Sequence, residues 1–175
     1  GVLVKKTGLI LVLLSFFLIS TEALANGPAA WLSVGEKDGN TGFAVGFRGV
    51  DLGIEIGGIN DSDYSSDDMY DYPVPHTDFT DLGKQKIDSA VGFDVLGFYN
   101  ASKRLSFFGG LGVYFQEYRR VALSNLSYLL YTESQETEAE AAFSGGIQFF
   151  PSNALVLGIG YHSLRGINGQ IGVRF

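Results

Sequence analysis

The chain has 175 residues, 24 of them Gly and none Cys, with 46% hydrophobic side chains and a net charge of −7. The lack of Cys excludes a disulfide framework, thiol catalysis and Cys-based metal sites. The acidic balance argues against a nucleic-acid partner, which needs a basic face for its phosphates.

Residues 1–25 have the pattern of a cleavable export signal. Lys5 and Lys6 form the charged start, residues 9–19 an apolar core, and Ala23-Leu24-Ala25 a small-residue cleavage site. The apolar core is too short for a spanning helix, which needs about 20 residues. Cleavage after Ala25 would remove Lys5, Lys6 and Glu22 and leave residues 26–175 as one domain with net charge −8.

From residue 29 onward the chain alternates apolar with small or polar side chains, which is the period of a β-strand with two unlike faces. A first strand over 29–36 carries Ala30, Leu32 and Val34 on its apolar face. Lys37-Asp38-Gly39-Asn40 is a hairpin turn, with Asp-Gly the favoured centre. A second strand over 41–49 sets Phe43, Val45 and Phe47 against Ala44, Gly46 and Arg48. A third over 52–57 sets Leu52, Ile54 and Ile56 against Gly53, Glu55 and Gly57.

Residues 60–85 form the longest break, with Asp at 61, 63, 67, 68, 71, 78 and 81 and Pro at 73 and 75. The fourth strand (86–99) sets Ile87, Val91, Phe93, Val95 and Tyr99 against Asp88, Ala90, Gly92, Asp94 and Leu96. The fifth (105–118) sets Leu105, Phe107, Leu111, Val113 and Phe115 against Ser106, Phe108, Gly110, Gly112, Tyr114 and Gln116. A second long break spans 119–136. Three more strands follow, ending near Phe149, at His162 and at Phe175. The count is eight, and the short connections fall on one end, the long ones on the other.

Alternation alone permits a soluble barrel with its apolar face inward or an outer-membrane barrel with that face in lipid. The two chain ends favour the second. The final aromatic resembles the closing strand of bacterial outer-membrane barrels, where a terminal Phe is part of the signal read by the assembly machinery. Export signal, eight strands and the ending GQIGVRF together resemble the small OmpA/OmpX-like outer-membrane barrels, across all of 26–175. The resemblance implies an all-β fold, a transmembrane antiparallel eight-stranded up-and-down β-barrel. It further implies a monomer set in outer-membrane lipid and lipopolysaccharide, handled by the barrel assembly machinery through Phe175, with no cofactor.

With the apolar face outward, the lumen receives Arg48, Glu55, Asp88, Asp94, Gln116, Glu138, Glu140, Gln148, His162, Gln170 and Arg174. Buried charges must pair or stay wet. We therefore expect a polar network of Arg48, Glu55, Asp94, Gln116, Gln148 and Arg174, with the two arginines near the periplasmic end and Glu55 and Asp94 as their partners. An eight-stranded interior is just wide enough to be filled by side chains, which favours a plug over a narrow ion or small-solute path. Phe47, Tyr99, Tyr118, Phe149, Tyr161 and Phe175 fall near strand ends, at headgroup level. Trp31 has inward parity near the periplasmic rim, and its direction stays open.

No catalytic, cofactor or metal site emerges. Asp61, Asp63 and Ser65 have the spacing of a calcium-loop start, but Ser66 and Tyr72 stand where that loop needs Gly and Glu. Lipid A-modifying barrel enzymes place His and Ser two apart on one face, whereas His162 and Ser163 are adjacent and so point oppositely. Any extracellular ligand is expected at the two long breaks, through Tyr64, Tyr70, Tyr72, Phe79, Tyr128 and Tyr131, since Tyr makes low-entropy contacts. The alternative for the second break is a hairpin rising above the membrane.

Overall fold

The computed structural model describes residues 27–71 and 78–175. The expected export signal and Tyr72 lie outside the described residues. Nine strands make one sheet: β1 (Ala29–Lys37), β2 (Asn40–Arg48), β3 (Leu52–Ile59), β4 (Met69–Asp71), β5 (Phe79–Asn100), β6 (Leu105–Ser124), β7 (Leu130–Phe149), β8 (Leu155–His162) and β9 (Gly166–Arg174). Eight of them close an antiparallel barrel in which each strand pairs with its sequence neighbour, and β1 seals the ring by pairing with β9. The ninth, β4, is a three-residue strand that pairs parallel with the top of β7.

The alternation decides which face is which. Leu32, Val34, Phe43, Val91, Leu111 and Ile167 are exposed, while Trp31, Ser33, Ala44, Asp94, Tyr114 and Gln148 are buried. This is the reverse of a soluble barrel. A continuous apolar belt of this kind is stable against lipid, and closure leaves the spanning region no unpaired edge.

Two strand lengths coexist. β1, β2, β3, β8 and β9 have 8 or 9 residues, close to the roughly 9–11 that cross a bilayer. β5 has 22 residues, and β6 and β7 have 20 each. Their excess of about ten residues adds roughly 30 Å of strand beyond the barrel rim, at about 3.3 Å per residue. It rises at the end opposite the short connections, so a three-stranded blade stands at the end away from the two ends of the barrel sequence. The expected loop over 119–136 is therefore mostly strand, turning only between Ser124 and Leu130. Its sequence lacks an apolar face because there is no lipid at that height.

The other long break is also partly built into the sheet. Asp63 and Tyr64 donate their N–H groups to the Lys86 carbonyl, so the chain runs along β5 before a 3₁₀ turn at Ser66–Asp68, capped by Ser65, leads into β4. This pairing corrects two expectations about β5. Its register with β6 shifts between Ile87 and Val91, with Asp88 at φ 54°, so the simple alternation is interrupted. Ile87 is completely buried instead of facing lipid, and the Asp88 carboxylate accepts from the Ser66 N–H at 3.0 Å instead of entering the lumen network.

Candidate functional site

The lumen is filled in layers, and the layer at the end with the short connections is built around Arg48. Its guanidinium donates to Ser106 Oγ at 3.0 Å, Gln148 Oε1 at 3.3 Å, Asn100 Oδ1 at 2.8 Å and the Val50 carbonyl at 2.5 Å. It also lies 3.8 Å from the centroid of the Phe98 ring, a cation–π geometry. Gln148 passes the chain on by donating to Gln170 Oε1 at 3.0 Å. Arg174 sits lower, donating to the Asn153 carbonyl at 3.2 Å over the Phe150 ring. Neither arginine reaches Glu55 or Asp94, which corrects the expected pairing.

Above Arg48 lies an apolar layer of Trp31, Leu96, Phe98 and Phe108. Trp31 points inward because the wall beside it is bare. A Cβ at Gly46 would come 2.5 Å from Trp31 Nε1, and one at Gly172 would come 2.7 Å from Trp31 Cβ. Glycine is what lets the indole lie across the barrel.

The central layer joins five strands and one turn through hydrogen bonds to buried charge. Glu55 on β3 and Asp94 on β5 are direct cross-strand partners, and like charges placed so destabilise a sheet unless a cation lies between them. That cation is Arg165, from the β8–β9 turn at the blade end of the barrel, with 1% exposure. Its Nη2 donates to Glu55 Oε1 and, at 3.4 Å, to Asp94 Oδ2. Trp31 Nε1 donates to Glu55 Oε2 at 2.7 Å, and the Tyr114 hydroxyl donates to Asp94 Oδ2 at 2.8 Å. Sequence reasoning passed over Arg165 because it assigned lumen roles by strand parity, and a turn residue has none. The signal was available in Glu55 and Asp94 themselves, two inward acids on neighbouring strands that need a cation at their own depth.

His162 completes this layer. Its Nδ1 accepts from the main-chain N–H groups of Leu164 at 3.1 Å and Arg165 at 3.2 Å, so that nitrogen carries no proton. The proton sits on Nε2, which donates to Asp94 at 3.1 Å. Both ring nitrogens are thus committed to structure. Ser163 is equally engaged, its hydroxyl accepting from the Phe143 N–H at 3.1 Å.

Toward the outside the lumen widens into a vestibule of about 250 Å³, floored by Ile59, Ala90, Tyr114 and Leu164 and walled by Tyr118, Lys86, Asp61 and Glu140. Gln116 sits at its base, its amide donating to the Ile87 carbonyl at 3.0 Å. Tyr118 lies under Lys84 Nζ at 4.6 Å, on the vestibule side instead of the lipid headgroup belt. Glu138, expected inside, is exposed and paired with Lys84, which also reaches Glu136 at 3.2 Å.

The blade carries the expected contact residues, in three different situations. Tyr131 packs against Tyr70 at 5.9 Å and Phe79 at 5.4 Å between ring centroids, and Tyr64 is tied to β5 through its main chain. Tyr70 remains 54% exposed. At the tip, Tyr128 and Leu126 are each 78% exposed, and Tyr128 has φ 58°, a conformation that bulky side chains rarely adopt.

The pairs on the blade set its response to pH. The Arg120 side chain, and then the Gly83 N–H, hold the Asp81 carboxyl below its ordinary value of 3.8. Glu138, and then Glu136, hold Lys84 above its ordinary 10.5. The Asp81 contribution is complete above 3.8 and is lost as pH falls through the lowered value. The Lys84 contribution is complete below 10.5 and is lost as pH rises through the raised one. Amide-exchange protection of the upper hairpin, corrected for intrinsic rate, should therefore be flat from about pH 5 to 9 and fall at both the acidic and the alkaline extremes. Protection lost between pH 5 and 8 would contradict these pairings.

Apolar belt outside, hydrogen-bonded polar filling inside and closure of β1 on β9 together decide the class. The chain is a closed eight-stranded β-barrel of the membrane-spanning type. Solved structures with a similar arrangement include Ail, the attachment invasion locus protein of Yersinia pestis, at 16% identity and TM-score 0.48, covering 86% of this chain and 99% of that one. The complex of Ail with the heparin analogue sucrose octasulfate aligns at 16% identity and TM-score 0.44 over 85% and 99% of the two chains. Neisserial surface protein A aligns at 13% identity and TM-score 0.43 over 85% and 94%. No family model and no curated protein matches this sequence.

Proposed function

We propose that the protein is a non-catalytic, monomeric surface-interaction barrel. Its lumen is a plug, and its extracellular blade makes the contacts. One observation carries this reading: β5, β6 and β7 run about ten residues beyond the rim as ordered sheet, ending in the exposed Tyr128 and Leu126. Spanning the membrane requires none of that length. A rigid sheet with exposed Tyr is a suitable contact surface.

The plug is supported by the aromatic layer under the Glu55–Asp94–Arg165–His162 cluster, whose members are each at most 4% exposed. The non-catalytic reading is supported by His162, which has no ring nitrogen left to activate a hydroxyl. Outer-membrane lipid and lipopolysaccharide would surround the belt, and Phe175, 52% exposed at the periplasmic end of β9, is the residue we assign to the barrel assembly machinery.

The test shortens β5, β6 and β7 to the height of β8 and displays the barrel on cells. The variant should remain heat-modifiable on gels, because every spanning residue is kept. Adhesion of these cells to a panel of immobilised serum and matrix proteins should fall to background. Undiminished adhesion would place the function in the wall or lumen. Planar-bilayer recording should show no steady conductance, and a conductance abolished by Asp94→Asn would replace the plug with a narrow pore.

A further inference from the structure

The vestibule above the plug has acceptors to spare and its nitrogen donors are taken. Each side-chain nitrogen on its wall already holds a protein acceptor. Lys37 donates to the Ser163 carbonyl at 2.5 Å, Asn40 to Asp61 Oδ1 at 2.9 Å and Lys86 to Asp61 Oδ2 at 2.5 Å. Gln116 Nε2 is ringed by the carbonyl oxygens of Ile87, Asp88 and Glu117 at 3.0, 3.3 and 2.9 Å. Three acceptors around one atom fix which end of the amide is nitrogen. Oε1 is therefore turned the other way, and it accepts no hydrogen bond among the described residues. The side chain is only 6% exposed and lines the vestibule, so a buried carbonyl oxygen faces that space without a donor. A group of this kind requires a water or a ligand N–H.

The charge beside Gln116 states which donor fits. Glu136, Glu138 and Glu140 alternate along β7, opposite Tyr118, Gln116 and Tyr114 on β6. Lys84 holds the upper two glutamates, and Lys86 is bound to Asp61. Glu140, one step lower and part of the vestibule wall, has no ion-pair partner among the described residues. Asp38, Asp61 and Glu140 stand on that wall against Lys37 and Lys86, three acids against two bases, a net −1. Because Gln116 lies opposite Glu138, Glu140 is its diagonal neighbour on the same face. Diagonal neighbours are about 7–8 Å apart, a gap that two long side chains can close around one shared atom. Below them the floor of Ile59, Ala90 and Leu164 is apolar, within a space of about 250 Å³.

We propose that the vestibule binds a short primary aliphatic amine in its protonated form, the ammonium shared between Gln116 Oε1 and Glu140 and the chain lying on the apolar floor. An ammonium group brings three donors and no acceptor, the complement of what this wall leaves unfilled. Its charge offsets the unpaired Glu140, and its carbons cover Ile59, Ala90 and Leu164. A carboxylate or phosphate would meet Glu140 with like charge, and a bare alkali ion would leave the floor wet. The site lies at the base of the blade, apart from Leu126 and Tyr128 at the tip, and adds small-molecule capture to the contacts proposed there.

The experiment folds the full chain in nonionic detergent micelles and titrates it with n-butylamine at about pH 7, where the amine is charged as a Lys side chain is. NMR follows the Gln116 side-chain amide and the Glu140 main-chain amide, and both signals should shift saturably. 1-Butanol, with the same chain and no charge, should shift neither. Butyltrimethylammonium keeps the charge but has no N–H, and should bind about tenfold or more weakly. Glu140→Gln should weaken butylamine about tenfold, whereas Glu138→Gln, on the rung that Lys84 already holds, should change it by less than about twofold. Gel heat-modifiability confirms that both variants fold. Equal shifts from butanol, or an unchanged affinity in Glu140→Gln, would overturn the ammonium site. Equal binding of the quaternary amine would overturn the hydrogen bond to Gln116. Displacement of butylamine by an equal concentration of sodium chloride would overturn the amine in favour of an inorganic cation.

Discussion

Arg165→Met is expected to destabilise the folded barrel by about 3–5 kcal/mol, the usual consequence of stripping one partner from a buried ionic cluster. Arg165 touches both Glu55 and Asp94, and the buried Arg48 is bound to Ser106, Asn100 and Gln148 at the opposite end of the barrel. Without Arg165, two carboxylates that are direct cross-strand partners remain buried with no opposing charge. The effect should appear in urea unfolding followed by band shift on unheated gels. Adding Glu55→Gln and Asp94→Asn to the same chain should recover most of the loss, since neutral amides can share the remaining Trp31, Tyr114 and His162 contacts. A triple variant as unstable as the single one would show that Arg165 acts through packing of the β8–β9 turn and not through charge.

Trp31→Ala is expected to cost about 3–5 kcal/mol on its own, as for other large-to-small changes in closed interiors. The indole is 2% exposed, meets Phe98 edge-on at 6.0 Å and fills the space left by Gly46 and Gly172. Its removal opens a cavity that two strands of fixed register cannot close, and it strips Glu55 Oε2 of its donor. Trp31 is the only tryptophan in the sequence, so wild-type emission isolates this site. Folded protein should emit in the blue and resist acrylamide quenching. Emission that is red and readily quenched would turn the side chain out of the lumen and remove the basis for the cavity. Gly46→Val should reproduce much of the loss from the opposite side, by forcing the ring away.

How much of this was legible without coordinates differs by element. The short strands were, because lipid on one side and a narrow lumen on the other force a strict alternation on residues such as Val34, Phe43 and Ile171, and that alternation sets face and register together. The blade was less so. Where β5, β6 and β7 leave the membrane, both faces of Ser134–Ala141 are wet, the apolar signal vanishes, and a strand becomes hard to tell from a loop.

The site divides along the same physical line. Alternation by itself determined that Glu55, Asp94, Gln148 and Arg48 face inward, because side-chain direction on a regular strand is a local property. Only the tertiary structure decided who pairs with whom. Depth in the lumen depends on strand tilt and register, which placed Arg48 with Ser106 and Gln148 and left Glu55 and Asp94 to a cation from above. Arg165 reaches them because a turn residue can fold over the rim into the barrel, a direction no period-two rule describes. The shift around Asp88 has the same origin: main-chain pairing with Tyr64, 24 residues earlier, interrupts the register and buries Ile87. Local pattern sets the wall, and long-range closure sets what the wall encloses.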